Sequence, residues 1–321
     1  MVEVALLVFQ NALPASIFDS LHFFEVANRR LKELGEPNLF NVHLVGFNEH
    51  VHLNGGVCTI RTAMRFADTE HFNFVIVPAL DGHFGGMTYI NKECVSWLIL
   101  QYKSGAEIVG LGTGSFLLAY TGLLNGRECT THWEYANEFK YFYPSVVLRD
   151  DLVFTDHNGI YTSGGTTAYW NLFLHLLEKR TSRALAIQLA KYFLIDIGQQ
   201  SQSAFIVFQG LKDHGDTIVL QAQKILEENY ATKITVAEIA DQLHITRRTF
   251  ERRFRKATSS SVTEYIQRVK IEAARLQLET TKKTVDEIMN AVGYSDIPAF
   301  RKIFKRFTGV TPHEYRSRYK L

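Results

Sequence analysis

Thr235-Val236-Ala237-Glu238-Ile239 is echoed about 50 residues later by Thr284-Val285-Asp286-Glu287-Ile288. Both stretches are capping boxes: a threonine hydroxyl caps the first turn of a helix, and the glutamate three positions on reaches back to the cap's own amide. The echo continues. Phe250 and Phe254 return as Phe300 and Phe304, Arg255-Lys256 as Lys305-Arg306, Thr258 as Thr308, and Glu264-Tyr265 as Glu314-Tyr315. An internal repeat of this length marks a duplicated supersecondary unit. Each copy reads as a short capped helix, a tight turn and a second helix. The short helices are expected at 236–243 and 285–292, and the turns at 243–246 and 292–295. Gly293 falls where a helix ends in left-handed backbone, which glycine adopts without a Cβ penalty. Helix, short turn, helix is the unit that lays its second helix in the DNA major groove.

The second helix of each copy has two faces. Phe250 and Phe254 lie one turn apart and point to a core, while Arg248, Glu251, Arg252 and Arg255 recur at i, i+3, i+4 and i+7 on the other side. Thr246 and Arg247 open that helix. An arginine face suits a major groove, because a guanidinium can bond O6 and N7 of guanine in one fork. In the second copy Phe300, Phe304 and Phe307 point inward and Pro298, Arg301, Lys302 and Lys305 outward. Ile297, near the helix start, is placed to touch a thymine methyl, and Lys302 and Lys305 to meet phosphates. The plainer alternative, a solvated basic face, accommodates one copy better than two. Charge agrees with the first reading. Residues 1–214 carry 15 Lys+Arg against 20 Asp+Glu, whereas 215–321 carry 20 against 13. A basic third behind an acidic body points to a polyanion partner for that third alone.

Block 235–321 resembles the AraC/XylS family of bacterial regulators. The residues that carry the resemblance are Gly293-Tyr294, Phe300-x-x-x-Phe304-Lys305-Arg306, Gly309 and Pro312-x-x-Tyr315-Arg316. One departure is Ile297-Pro298, where the family commonly has a serine. Proline is tolerated in a helix's first turn, but a hydroxyl that can meet a phosphate is lost. The resemblance implies double-stranded DNA as partner and two recognition helices in successive major-groove segments. A connecting helix is expected at 262–279, with Ile266, Val269 and Leu276 on its buried side.

Working back toward the start, the pattern changes. Short, nearly continuous apolar runs at 2–9, 40–47, 72–79 and 106–111 read as strands buried on both faces. Further strands are expected near 146–148 and 152–162. Between the first two runs, Ile17, Leu21, Phe24, Leu31 and Leu34 recur at helical spacing. Such alternation predicts an α/β fold: a flavodoxin-like parallel sheet with helices on both faces, followed by an all-α double helix-turn-helix domain. The expected domains are 1–198 and 216–321. The polar, Gly-containing stretch 199–215 is expected to link them.

The run Gly110-Leu111-Gly112-Thr113-Gly114-Ser115-Phe116 follows a strand and opens a helix, the geometry of a nucleophile elbow. With Thr131-His132-Trp133 and Thr162-Ser163-Gly164-Gly165, it resembles the PfpI-type branch of the class I glutamine-amidotransferase-like superfamily, which includes isonitrile hydratase. The resemblance spans about 1–190. It implies a cysteine nucleophile where this chain has Gly112, paired with an acid on the first helix, near Asp19. Without a thiol the covalent route is closed. Ser115 does not fit G-x-S-x-G and reads as a residue of the first helical turn. No catalytic residue is therefore assigned. The crevice at the carboxyl ends of parallel strands is the usual ligand location, so an effector pocket is expected at Asp19, Gly82, Thr113, Gly114 and His132. The amides of Thr113 and Gly114 are its anion-binding element. A domain kept only for dimerisation, with a vestigial pocket, is the other reading, and a DNA-tethered amidase or hydratase a third.

Other classes are disfavoured. Three widely spaced cysteines (Cys58, Cys94, Cys129) fit neither a disulfide framework nor a zinc site. His50 and His52 have no ligand-spaced companions, so no metal and no cofactor are expected. Trp133 and Trp170 are either core residues or walls of a cage for a quaternary amine. No apolar run approaches the roughly 20 residues of a membrane span, and 2–9 lacks the basic start of a signal peptide. The expectation is a homodimeric cytoplasmic regulator with a small-molecule effector.

Overall fold

The computed structural model describes residues 1–67, 71–82, 84, 92–212, 214–232 and 234–320. They form two compact units, Met1–Gln202 and Ser203–Leu321.

The strands of the first unit are β1 (Val2–Val8), β2 (Phe40–Gly46), β3 (His50–Leu53), β4 (Cys58–Arg61), β5 (Met64–Arg65), β6 (Phe74–Val77), β7 (Glu107–Gly110), β8 (Glu128–Cys129), β9 (Val147–Leu148), β10 (Phe154–His157) and β11 (Ile160–Ser163). Its helices are α1 (Pro14–Glu33), α2 (Lys92–Lys103), α3 (Gly114–Tyr120), α4 (Ala136–Phe142), α5 (Ala168–Arg180) and α6 (Arg183–Tyr192). The main sheet runs β10-β11-β7-β6-β1-β2-β5. Every neighbouring pair is parallel except β10 with β11. The five central parallel strands thus stand in the order second, first, third, fourth, fifth, the flavodoxin arrangement. β1 lies between β2 and β6, so both its edges are paired, and Val4 to Val8 are all buried, as in a central strand covered on both faces. Phe23 of α1 packs against Phe173 of α5 and against Phe193, just beyond α6. Phe116 of α3 packs on Phe139 of α4.

The long apolar runs were legible, but other features were not. The β3–β4 hairpin, α2 and α4 lie where no element was expected. The expected strand at 152–162 is a hairpin instead, β10 turning through Asn158 and Gly159, both at positive φ, into β11.

The second unit is all-α: α7 (Thr217–Glu228), α8 (Val236–Gln242), α9 (Arg247–Thr258), α10 (Val262–Thr280), α11 (Val285–Ala291), α12 (Ile297–Thr308) and α13 (Pro312–Tyr319). It has two cores. Phe250, Phe254 and Tyr265 centre one, and Phe300, Phe304 and Tyr315 the other. Helix α10 serves both, giving Val262 and Tyr265 to the first and Ile271, Ala274 and Leu278 to the second. One expectation is corrected here: Leu276 is 59% exposed. Tyr265 and Ile271, six residues apart, belong to different cores, and that change of face turns Leu276 to solvent. The repeat also extends further than its sequence echo. Tyr265 donates to Glu227 at 2.6 Å and Tyr315 to Glu279 at 2.6 Å, each glutamate lying near the end of the helix that leads its copy. Residues 199–215 do not behave as one linker. The backbone of 200–202 bonds to Asp151 and Val153 of the first unit, whereas Ala204 is held within the second.

Asp216 caps α7, accepting from the Val219 amide, and also receives Arg253 of α9 through two bonds of 2.9 and 2.7 Å. The Arg253 bond holds its carboxyl below the ordinary 3.8. A depressed folded value gives stability that is present above the unfolded value and lost as pH falls through the folded one. Thermal melts between about pH 5 and pH 2 should therefore show an acid-side loss that Asp216→Asn reduces. An unchanged acid limb in that variant would show the pair to be inert.

Candidate nucleic-acid interface and effector site

Each second helix begins on a side-chain cap. Thr246 accepts from the Thr249 amide at 3.3 Å, and Asp296 from Ala299 at 3.3 Å. The caps hold the first turns of α9 and α12 out of the core. On α9, Phe250 and Phe254 are buried, and Thr246, Arg247, Arg248, Glu251, Arg252 and Arg255 are exposed. Arg247 is not free, since it pairs with Glu251 at 3.0 Å along the helix. On α12, Arg301, Lys302 and Lys305 are exposed around buried Phe300 and Phe304. Phe307 is half-buried against the core. Ile297 is half-buried and packs on the second core, so only part of its side chain faces outward. All ten residues lie on the two second helices or their caps.

The turn before α12 is closed by Gly293 at φ 77°, with the Tyr294 amide bonded to Met289 O. The matching residue before α9 is His244, at φ 54° and exposed, with the Ile245 amide bonded to Ala240 O. A Cβ in left-handed backbone costs roughly 1–2 kcal/mol. His244→Gly is therefore expected to raise the stability of the first copy by up to about 1 kcal/mol, after the added freedom of the unfolded chain is deducted. Urea titration checks this, and a destabilised variant refutes it.

In the first unit the chain leaves β7 through a tight turn. Gly112 sits at its apex at φ 51°, and its amide donates to Ser163 Oγ at 2.9 Å. A Cβ on Gly112 would lie 3.3 Å from Gly164 O. Gly112 O receives Ser115 Oγ at 2.9 Å and Thr131 Oγ1 at 3.3 Å. Ser115 has no exposed surface, so its hydroxyl is a structural donor.

The expected pocket residues divide. Thr113 is buried, its hydroxyl donating to Leu80 O at 2.6 Å and accepting from Leu80 N at 2.8 Å. The Gly114 amide bonds Leu111 O at 2.8 Å, and α3 has only seven residues. At the expected anion site of Thr113 and Gly114 the turn consumes the Gly114 donor, and so short a helix adds little dipole. Asp19 Oδ2 receives the Tyr169 hydroxyl at 2.5 Å. Burial and this contact push the Tyr169 phenol well up, so it remains a donor. Gly82 is exposed at φ 115°, its amide bonded to Asp81 Oδ1 at 2.8 Å. His132 is half-buried beside Trp133 and Tyr135. Its Nδ1 accepts from the Glu134 amide at 3.3 Å, and burial lowers its pKa, favouring a neutral ring. Trp170 packs among Phe23, Phe173 and Phe193, and Trp133 lies by His132. Burial pushes the Cys129 thiol up to about 12, so it is not a nucleophile at neutral pH.

The DJ-1/PfpI family matches residues 24–179, and a helix-turn-helix domain family matches residues 239–318. The chain is a DJ-1/PfpI domain joined to an AraC-type helix-turn-helix domain. The HTH-type transcriptional regulator GbdR of Pseudomonas aeruginosa is 26% identical over 245 residues. The match covers 74% of this chain and 66% of GbdR, just under two thirds of that relative. The HTH-type transcriptional regulator GlxA of Rhizobium meliloti is 27% identical over 221 residues, 67% of each chain. Among solved structures, an AraC family transcriptional regulator from Pseudomonas putida superposes with a TM-score of 0.50 at 16% identity, covering 60% of this chain and all of that one. That likeness is one of fold.

Two residues of weight in the DJ-1/PfpI and helix-turn-helix domains escaped the sequence reading. Gln202 is 3% exposed, its carboxamide buried against Gly165, Thr130, Thr131 and Asp150. It lay in a Gln/Ser run that reads as linker. Arg275 is 6% exposed and bonds Tyr315 OH, Glu272 and the carbonyls of Ala204 and Ile206. Its position in α10 offered no hint of a partner more than 65 residues earlier in the chain.

Proposed function

We propose that this protein is a sequence-specific DNA-binding transcription regulator whose DJ-1/PfpI domain senses a small metabolite without turning it over. The observation that carries the reading is the pair of capped second helices, each with its phenylalanines buried and its cations exposed. Arg248, Arg252 and Arg255 are the base-reading candidates of the first copy. Arg301 and Ile297 serve the second, with Lys302 and Lys305 on phosphates. The relatives' names as regulators support the same reading. A glycine at the elbow apex and a buried, internally bonded Ser115 leave the turn without a nucleophile, which favours sensing over catalysis. A homodimer in the cytoplasm completes the proposal. Among the described residues no helix is long and apolar enough to cross a membrane.

Binding of the full chain to fragments of its source genome, followed by anisotropy on the selected site, tests this. Arg252→Ala should lose about 1–3 kcal/mol on the selected site and relax preference at one base pair. Lys302→Ala should weaken binding on all sequences alike and reduce the salt slope by about 1. Equal affinity of wild type and Arg252→Ala for selected and scrambled sites would remove the reading.

A further inference from the structure

Gln202 is the last residue of the first unit, in a stretch whose composition is that of a tether, yet its side chain is among the more deeply buried polar groups there. A buried carboxamide must find partners for one acceptor and two donor protons. All are supplied. Oε1 accepts from the Gly165 amide at 2.9 Å. Nε2 lies 3.1 Å from Thr131 O, 3.1 Å from Asp150 O and 3.3 Å from Thr130 Oγ1. The cradle has its shape because residue 164 is glycine: a Cβ there would come within 2.4–2.7 Å of the carboxamide atoms. The approach is fixed by backbone as well. The Gln202 amide donates to Asp151 O at 2.9 Å, the Val153 amide to Gln200 O at 3.1 Å, and Ser201 pairs with Leu152 as an isolated antiparallel bridge. The cradle adjoins the elbow, since Thr131 also reaches Gly112 O, and a Cβ on Gly165 would meet Trp133 and His132.

One amide donor facing three converging oxygens is selective. A carboxylate would satisfy Gly165 but bring negative charge against three oxygens. A guanidinium would satisfy the oxygens but turn another donor toward the Gly165 amide. A primary carboxamide answers both sides. We propose that this cradle is the effector subsite of the DJ-1/PfpI domain, that its ligand carries a primary carboxamide, and that Gln202 occupies it in cis as a latch. Ligand and latch compete, so a bound ligand frees the chain at 200–202. Two residues further on, Ala204 O is held at 3.0 Å by Arg275, in the connecting helix of the DNA-binding unit. Unlatching therefore lengthens the free chain between a fixed point on each unit.

This rests on the sensor reading, and its test is independent of DNA. Hydrogen exchange is followed on the full chain, with propionamide as probe and propionate as control. Gln202→Glu keeps the size of the side chain but sets a charge against the three oxygens, which drives it out and leaves the cradle open to the probe. In that variant propionamide is expected to protect the Gly165 amide. In wild type the latch already bonds the Gly165 amide, so the ligand should show there as faster exchange at Gln202 and Val153, whose amide bonds fix the tether, at a concentration about tenfold higher, as when the competent state is about a tenth populated. Gly164→Ala, which fills the cradle, should abolish both responses, and propionate should produce neither. Failure of propionamide to protect Gly165 in Gln202→Glu overturns the subsite. Protection in Gln202→Glu without faster exchange at Gln202 and Val153 in wild type overturns the latch. Loss of sequence-specific DNA binding, by contrast, would overturn the regulator reading and leave the cradle's chemistry standing.

Discussion

Phe304→Ala is expected to unfold the second helix-turn-helix while the first stays folded. Phe304 has no exposed surface and packs between Phe300 and Tyr315, at ring separations of 5.8 and 5.6 Å. Truncating a buried phenylalanine costs about 3–5 kcal/mol, through lost transfer energy and an unfilled cavity. A whole domain holds only about 5–15 kcal/mol, and each copy is a fraction of one. The consequences stay local because the two cores are separate, with α10 the helix that contributes buried residues to both. Tyr315 would lose the ring that sets its position, and with it the support for its bonds to Glu279 and Arg275. Hydrogen exchange on the full chain should show protection lost across α11, α12 and α13 and kept across α8 and α9. Equal loss in both copies would show that the repeat folds as one body. Retained protection in α12 would show that the core repacks around the gap.

The contrast between what was legible and what was not follows range along the chain. Both capping boxes form as the sequence implies, with Thr235 and Glu238, and Thr284 and Glu287, bonding reciprocally. Three-residue interactions need no knowledge of the rest of the fold. The Phe-x-x-x-Phe faces were legible for the same reason, since helical spacing alone puts both rings on one side. The flavodoxin-like sheet showed itself through strands buried on both faces, whereas the short β3–β4 hairpin carried no comparable run.

The effector site was the harder case. The elbow could be read from Gly112, but which donors its turn consumes could not. The Gly114 amide is taken by Leu111 O and the Thr113 hydroxyl by Leu80, neither visible before the backbone path is known. Asp19 meets Tyr169 across 150 residues, and Gln202 meets Thr130 across 72. Composition misread Gln202 because a tether and a buried latch use the same polar residues. What separates them is the presence of partners. The two copies also differ at one point: His244 holds the left-handed position that glycine holds in the second copy.

That asymmetry sets up the other large effect, in Gly293→Ala. If left-handed backbone were the whole reason for glycine, alanine would cost roughly 1–2 kcal/mol, and His244 shows that this fold tolerates such a cost at φ 54°. Gly293 has a second constraint. A Cβ there would lie 2.3 Å from Ala231 O and 3.0 Å from Ala231 C, contacts with backbone that no side-chain rotation relieves. It would also crowd Lys270 Nζ at 2.9 Å, and that ammonium bonds Gly293 O at 3.2 Å. The two penalties act together, so the expected loss is about 3 kcal/mol or more. Denaturant unfolding of Gly293→Ala beside His244→Ala separates them. His244→Ala exchanges one left-handed side chain for another and should fall within about 0.5 kcal/mol of wild type. If Gly293→Ala proves equally mild, the close approach to Ala231 is not a constraint, and φ alone accounts for glycine at the turn into the second recognition helix.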